Sequence, residues 1–436
     1  MLALIYGKWF SYILARKLFS FVQGLGWALN GTYIDLWRSK REGNYHRSAQ
    51  LLDIVYRYKL DLVLEPSGPG NFITTHNGFV SPSYVLQDNV TLYYITATEA
   101  VFIESPEEID VSHSDYGSFI RVAQFENARR VIKIPIAAFH KMAEEIGDPE
   151  GKVIFVTNTA RCGSTLINQM FEETECCIGF SEPDAFNAIA TYKDKVPQEQ
   201  LDQIITSCVR MQCKPFRKRK IEAYIIKPTA PTIDAVPMFE RLYPDGKQLF
   251  MYRGGLKVAQ SIVRTSTQMP MLALTFILTK IHPRLSEMSV EAMGLPAKEF
   301  AIKLPSPMTF SVFIWAMICK KYLVLRKQGV SIHAVKYEDL VKHPVESASA
   351  IMEYCGLPKE LAEKAVRALS KDSQRHSPLS MKNMAKAKTY ELEGNDKVVA
   401  DAICDKMGIP RIPQNCELEG TITTVKSTQQ QNGTTQ

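Results

Sequence analysis

The spacing of apolar residues changes character near residue 150. Upstream, from about Ser48 to Asp148, short runs of β-type composition occur at Leu60–Glu65, Val90–Thr96 and Val131–Ile136. A turn at Pro66-Ser-Gly-Pro-Gly70 and an amphipathic helix over Ala137–Ile146 accompany them, so a mixed, strand-rich region is expected there. Downstream, compact apolar runs alternate with helical patterns. Val153–Val156 leads to a helix near Leu166–Phe171, Tyr224–Ile226 to one near Ile233–Leu242, and Leu249–Tyr252 to one near Lys257–Val263. A long helix over about Phe310–Arg326 then precedes a fourth strand, Ile332–Val335. Uniformly apolar strands alternating with helices imply a parallel sheet covered on both faces. The expected fold class is α/β, with a central parallel sheet plus a smaller strand-rich N-terminal region.

The two ends have other patterns. Met1–Leu29 is rich in Leu, Ile, Phe and Trp, but Lys8, Arg16 and Lys17 interrupt it and are spread around the helical wheel. Its longest uncharged run, Leu18–Ile34, contains Gln23, Gly24, Gly26, Asn30 and Gly31. That falls short of the roughly 20 apolar residues a spanning helix needs. A buried or membrane-touching helix is expected in preference to a membrane anchor, with a cytoplasmic or membrane-peripheral location and a Golgi location as the alternative. The last residues are rich in Thr and Gln and are expected to be a disordered tail. The chain of 436 residues thus divides into an apolar helical segment (1–47), the strand-rich region (48–148), the main α/β domain (149–415) and the polar tail (416–436).

Composition adds limits. A formal charge of +6 suits an anionic ligand without arguing for nucleic acid, and the one dense basic run, Arg217–Lys220, reads as a solvated loop. Nine cysteines show no C-x-x-C pair and no histidine at metal-ligand spacing, so a reduced set and no metal site are expected.

Candidate chemistry concentrates after Gly151. Lys152-Val-Ile-Phe-Val-Thr-Asn-Thr-Ala-Arg-Cys-Gly-Ser-Thr165 reads as strand, tight loop and helix start, the arrangement that wraps backbone N–H groups around a phosphate. An ATP-binding loop would carry Lys after Gly163; Ser164 stands there, and the positive charge sits earlier, at Arg161. Gly163 lets the backbone approach an anion, Ser164 and Thr165 add donors, and Arg161 offers a fork suited to sulfonate or phosphate oxygens. An N-cap beside an incidental Arg fits the same residues. Glu182, in Ser181-Glu-Pro183, is a general base or a carboxylate answering a helix dipole. Lys227 ends the second strand and serves a transferring group or simply solvent. Arg253 ends the third strand, with Ser261 eight residues on; they converge on one phosphate, or Arg253 makes a surface salt bridge. Lys371–Ser380, a polar loop with Arg375 and His376, is the last patch.

In order and spacing these patches, with Val335-Lys-Tyr-Glu-Asp-Leu340, resemble the sulfotransferase family over roughly Gly151 to Lys386. The resemblance implies a P-loop NTPase-like three-layer fold and use of 3′-phosphoadenosine 5′-phosphosulfate (PAPS) as donor, without a metal. It implies that Arg161, Cys162, Gly163, Ser164 and Thr165 form the loop for the 5′-phosphosulfate, and that Arg253 and Ser261 hold the 3′-phosphate. Ser373, Gln374 and Arg375 would belong to a late segment closing on the nucleotide. Tyr337–Leu340, His343-Pro344 and Cys355–Pro358 match structural stretches of the family. Two positions depart from its pattern. Gly254-Gly255 replaces Asp/Asn-Pro, and Thr229 stands where cytosolic members carry their histidine base. Glu182 falls where the carbohydrate and tyrosylprotein branches place a glutamate, so those branches are the nearer match. Glu182 would then take the proton of an acceptor hydroxyl or amine, while Lys227 and Arg161 stabilise the transferring group. The acceptor, whether carbohydrate, protein tyrosine or small molecule, is not readable; Met269, Met271, Phe276 and Phe300 line its pocket or are ordinary core. The rival expectations are a P-loop kinase or NTPase, and an inactive binding protein on the same fold.

Overall fold

The computed structural model describes residues 2–41, 45–193, 195–215, 220–293, 295–300, 302–385 and 387–422. Among these residues lie two five-stranded sheets. The first contains β1 (Ala49–Arg57), β2 (Phe72–Val80), β3 (Val90–Ile95), β4 (Glu99–Glu104) and β5 (Arg130–Pro135), in the order β2-β1-β5-β4-β3 with antiparallel pairing. The second contains β6 (Lys152–Asn158), β7 (Cys177–Ser181), β8 (Ala223–Lys227), β9 (Lys247–Tyr252) and β10 (Ile332–Lys336). Its order is β10-β9-β6-β8-β7, and every pairing is parallel. The expected three-layer α/β fold is the one observed, with β6 and its phosphate-type loop in the middle of the sheet.

The helices run along the chain as α1 (Leu2–Asn30), α2 (Thr32–Ser39), α3 (Ile120–Asn127), α4 (Ile136–Ile146), α5 (Ser164–Glu172), α6 (Asp184–Tyr192), α7 (Gln198–Gln212) and α8 (Val236–Leu242). After β9 come α9 (Gly255–Thr265), α10 (Pro270–Ile281), α11 (Pro283–Ala292) and α12 (Pro307–Lys327), and after β10 come α13 (Tyr337–Lys342) and α14 (Pro344–Tyr354).

Successive strand residues face opposite sides, so a sheet covered on both sides needs apolar residues at every position. In β9, Leu249 and Met251 join α5 and α14 on one side, while Phe250 and Tyr252 join α9 and α12 on the other. Phe250 stacks on Tyr322 of α12 at 4.4 Å, and Phe155 of β6 stacks on Phe239 of α8 at 4.3 Å. Although α12 is long and apolar enough to cross a membrane, its Trp315, Phe310, Phe313 and Tyr322 are core residues. A third cluster runs from Phe102 and Ile132 of the first sheet through α4 and α7 to Phe155 and Ile226 of the second.

Several expectations need correction. Leu60–Glu65 is a turn, because the Asp61 carboxylate accepts the N–H groups of Val63 and Leu64 at 3.0 and 2.9 Å and offers the backbone a local alternative to a sheet. Strands β1, β2, β4 and β7, and helices α3 and α7, were not expected. The polar residues Gln50, Asp53 and Arg57 obscure β1; Asp53 is spent on a 2.9 Å ion pair with Arg130. The N-terminal helix is not buried: Tyr12 alone among its described side chains is, and α1 rests on the surface through Tyr12 Oη to the Gly70 carbonyl (2.8 Å) and Gln23 Nε2 to that of Thr74 (2.9 Å). Of the stretch assigned to the tail, residues 416–422 pack beside β10. Ala334 donates to the Gly420 carbonyl at 3.0 Å, and Ile422 to that of Ala334 at 2.8 Å. Residues 423–436, and most of the basic run at Arg217–Lys220, lie outside the described residues.

Candidate active site

Strand β6 ends at Asn158, which anchors the loop beyond it. The Asn158 Oδ1 accepts the Ala160 N–H at 2.9 Å, its Nδ2 donates to the Pro228 carbonyl at 3.2 Å, and Thr159 N–H reaches the Met251 carbonyl at 3.1 Å. The loop therefore leaves the sheet pinned between β8 and β9. Ala160 (φ 58°), Arg161 (φ 46°) and Gly163 (φ 87°) all take left-handed conformations. The loop runs into the N-terminus of α5, where the first N–H groups and the helix dipole favour an anion. For Ala160 and Arg161 the conformation costs energy, and a non-glycine φ of this kind is characteristic of functional loops. Gly163 is required twice over, since a Cβ there would also lie 2.4 Å from the Tyr337 ring.

Arg161 Nε donates to Ser261 Oγ at 3.0 Å, which brings two of the expected anion-binding residues into direct contact. Burial pushes the Arg161 guanidinium below its ordinary pKa; Glu182 opposes this, and the nearby Arg253 and Arg264 add to it. Arg253 lies over the Tyr337 ring at 4.6 Å. Its Nε and that of Arg264 are buried without a hydrogen-bond partner among the described residues. Three guanidinium groups thus gather around the loop with donors to spare, an arrangement that an incoming anion would relieve. Trp315 Nε1 donates to the Arg253 carbonyl at 3.0 Å, and Gly254 N–H to Glu338 Oε1 at 3.0 Å. These contacts account for the departure at Gly254-Gly255: a Cβ on Gly255 would meet Trp315 at 2.8 Å.

Glu182 comes directly after β7 with φ 57°, and its N–H donates to the Lys227 carbonyl at 2.6 Å. Lys227, only 1% exposed, gives its Nζ to Glu182 Oε1 at 3.1 Å. Arg121 Nη2 reaches Glu182 Oε2 at 2.5 Å, and its Nη1 reaches Asp184 Oδ1 at 3.2 Å. Burial pushes Glu182 up, but Lys227 and Arg121 together hold it below the usual carboxylate range. Asp184 shows the same balance: burial raises it, and Arg121 and Lys59 bring it below its ordinary value. Thr229, where the expected pattern would place a histidine, gives both its N–H and its Oγ1 to Asn187 Oδ1, at 2.9 and 2.8 Å.

The remaining expected residues divide. Gln374 Nε2 donates to Thr165 Oγ1 at 3.0 Å, and Gln169 Nε2 to the Ser373 carbonyl at 3.3 Å, so the late segment seals the first turn of α5. Arg375 is not among the clustered arginines; it pairs with Asp115 of the N-terminal region. Ser164 is buried at the first turn of α5, and Cys162 turns its thiol inward to the Met251 carbonyl at 3.2 Å. Met269 and Phe276 are packed in the hydrophobic core.

Two arginines escaped the sequence reading. Arg264 lies three residues after Ser261 on α9, a spacing that places both on one helical face and was legible in principle. Arg121 carried no signal at all, being one charged residue of a short helix in a region without motifs.

No family model and no curated protein sequence matches this chain. Solved structures resemble it in part, among them three sulfotransferases. A sulfotransferase domain from the curacin biosynthetic pathway is 16% identical, covering 60% of this chain and 99% of its own, with a TM-score of 0.34. A sulfotransferase from Alicyclobacillus acidocaldarius is 13% identical (49% and 83% covered, TM-score 0.29), and sulfotransferase STF1 from Mycobacterium tuberculosis 11% identical (61% and 78%, TM-score 0.33). At TM-scores this low the likeness carries no weight, and the chemistry rests on the residues themselves.

Proposed function

We propose that the chain is a PAPS-dependent sulfotransferase that delivers a sulfuryl group to an acceptor hydroxyl or amine. The observation that carries this reading is the half-buried cluster of Arg161, Arg253 and Arg264. Arg161 touches Ser261 beside a glycine loop that lacks the ATP-type lysine, and Arg253 and Arg264 hold unpartnered donors. This set fits a donor with two separate anionic groups. The loop N–H groups, Ser164, Thr165 and Arg161 would hold the 5′-phosphosulfate, and Arg253, Ser261 and Arg264 the 3′-phosphate.

When bound, the donor supplies the electrophilic sulfur. Its bond to the bridging phosphate oxygen breaks as the acceptor oxygen bonds to sulfur, and the acceptor proton passes to Glu182. Lys227 stands 3.1 Å from Glu182, and with donor bound its Nζ would turn to the sulfonate oxygens. Moving toward the sulfonate would release Glu182 from one ion pair and raise its basicity as the acceptor must be deprotonated. Glu182 is 16% exposed, enough for one face of the carboxylate to meet an acceptor.

One observation favours a second reading, a nucleotide-binding protein without turnover: Glu182 is held by two cations that lower its basicity. Labelled PAPS offered with sugars, phenols, steroids and peptides separates the two. Transfer to one class, lost in Glu182→Gln with nucleotide affinity kept, supports the enzyme. Nucleotide binding without transfer to any class supports the second reading, and full activity in Glu182→Gln removes Glu182 as base.

A further inference from the structure

The helix α1 leaves an apolar stripe uncovered by the other described residues. Leu4, Phe10, Leu14, Leu18, Phe21, Val22, Leu25 and Leu29 are between 53% and 90% exposed. At about 100° per residue they fall within an arc of roughly 120°, along a 29-residue helix about 43 Å long. Together with Tyr33, Ile34 and Trp37 of α2, they make up eleven of the 23 large apolar side chains exposed among the described residues. The opposite side of α1 packs on the protein through Tyr12, Gln23 and Arg16, the last reaching the Pro69 carbonyl at 3.4 Å. That side is itself rich in aromatic residues. A wheel read from sequence therefore looks apolar all round, and only the packing reveals which side is left over.

Charge identifies what covers the stripe. Residues 1–47 hold seven of the chain's 52 Lys and Arg and only two of its 46 Asp and Glu, and so account for +5 of the net +6. No acidic residue precedes Asp35. On the helical wheel Lys8 and Lys17 flank the two edges of the stripe, where their ammonium groups would stand at the level of lipid phosphates. Arg41 lies 3.5 Å over the Trp37 ring, an amphipathic pair at the end of the same surface. A second copy of this face would bring the two basic rims together, which like charge opposes; an anionic lipid surface complements them. We infer that α1 lies in the plane of an anionic bilayer, its stripe sunk among the acyl chains and its basic rims on the headgroups. The helix does not span, because its inner side is fastened to the protein.

The test is co-sedimentation of the full chain with sucrose-loaded vesicles, of phosphatidylcholine alone or with added phosphatidylserine. Binding to the anionic vesicles, weakened by salt, is expected. Combined Leu18→Ser, Phe21→Ser and Leu25→Ser should lower partitioning at least tenfold, since each removes an exposed apolar side chain that the lipid would bury. Lys8→Glu with Lys17→Glu should lower binding to anionic vesicles by a similar factor while leaving the far-ultraviolet spectrum unchanged. Failure to bind either vesicle overturns the proposal, as does unchanged binding by the triple variant. A lipid-free dimer that the triple variant dissociates also overturns it, in favour of a second copy. None of these outcomes bears on donor binding.

Discussion

Arg121→Met tests how far the N-terminal region belongs to the site. Arg121 bridges Glu182 and Asp184 with a side chain 6% exposed, against carboxylates 16% and 3% exposed. Removing one member of a buried ion pair costs about 3–5 kcal/mol, because the remaining charge is left uncompensated. Here the loss is moderated. Glu182 keeps Lys227 at 3.1 Å, and Asp184 keeps the Ser67 N–H and Asn187 Nδ2, both at 2.7 Å. About 3 kcal/mol at neutral pH is expected. The pH dependence gives the mechanism. In the native protein both carboxyl groups lie below their ordinary values, so their stabilisation is present above the unfolded pKa values near 4 and is lost as pH falls through the folded ones. In the variant Lys227 and Lys59 still oppose burial but Arg121 does not, so both folded values rise from their native positions. The penalty is then largest at neutral pH and shrinks as the carboxyls take up protons. Urea unfolding at pH 7.5 and pH 5 reads both effects. A loss below about 1 kcal/mol at pH 7.5, or a loss no smaller at pH 5, would refute the reasoning.

Gly163→Ala should abolish nucleotide binding, and adding Tyr337→Ala should restore only part of it, because relieving the ring contact leaves the left-handed φ of 87° in place; calorimetry distinguishes full from partial recovery. Lys214 donates to the carbonyls of Val85, Gln87 and Val90 at 2.6, 2.6 and 2.5 Å, so Lys214→Met, which orphans all three, should cost about 2–4 kcal/mol in urea unfolding. If Glu182 is the base, kcat/KM should show no carboxylate limb above its ordinary value near 4.3, since the group is held below it. Lys227→Met, by removing one cation, should bring such a limb upward in whatever activity remains.

The parallel sheet was legible because a strand buried on both faces carries an unbroken apolar run, as Val153–Val156 of β6, Ala223–Ile226 of β8 and Leu249–Tyr252 of β9 do. Strand β7 escaped because its five residues carry only Ile178 and Phe180 as large apolar side chains. In the first sheet, charged residues such as Asp53 and Arg130 pair across strands, a tertiary fact that no local pattern contains. The site divides in the same way. Arg161, Gly163, Lys227, Arg253 and Ser261 were visible because each sits at a strand end or on the next helix, where such sheets bind ligands. Arg121 reaches Glu182 only through the docking of α3, from more than sixty positions upstream. The stripe on α1 was hidden for another reason: its two apolar sides differ only in which one the protein covers.

The central claim, that this loop and its arginines cradle phosphosulfate and not ATP, is tested most directly by competitive calorimetry. Adenosine 3′,5′-bisphosphate and ATP with Mg²⁺ would be titrated into the wild-type chain and into Arg161→Ala and Arg253→Ala. The account predicts binding of the bisphosphate without metal, weakened about tenfold or more in each variant by loss of a charge-assisted contact, and little competition from ATP. Tighter binding of ATP with Mg²⁺, or bisphosphate affinity unchanged in both variants, would contradict it.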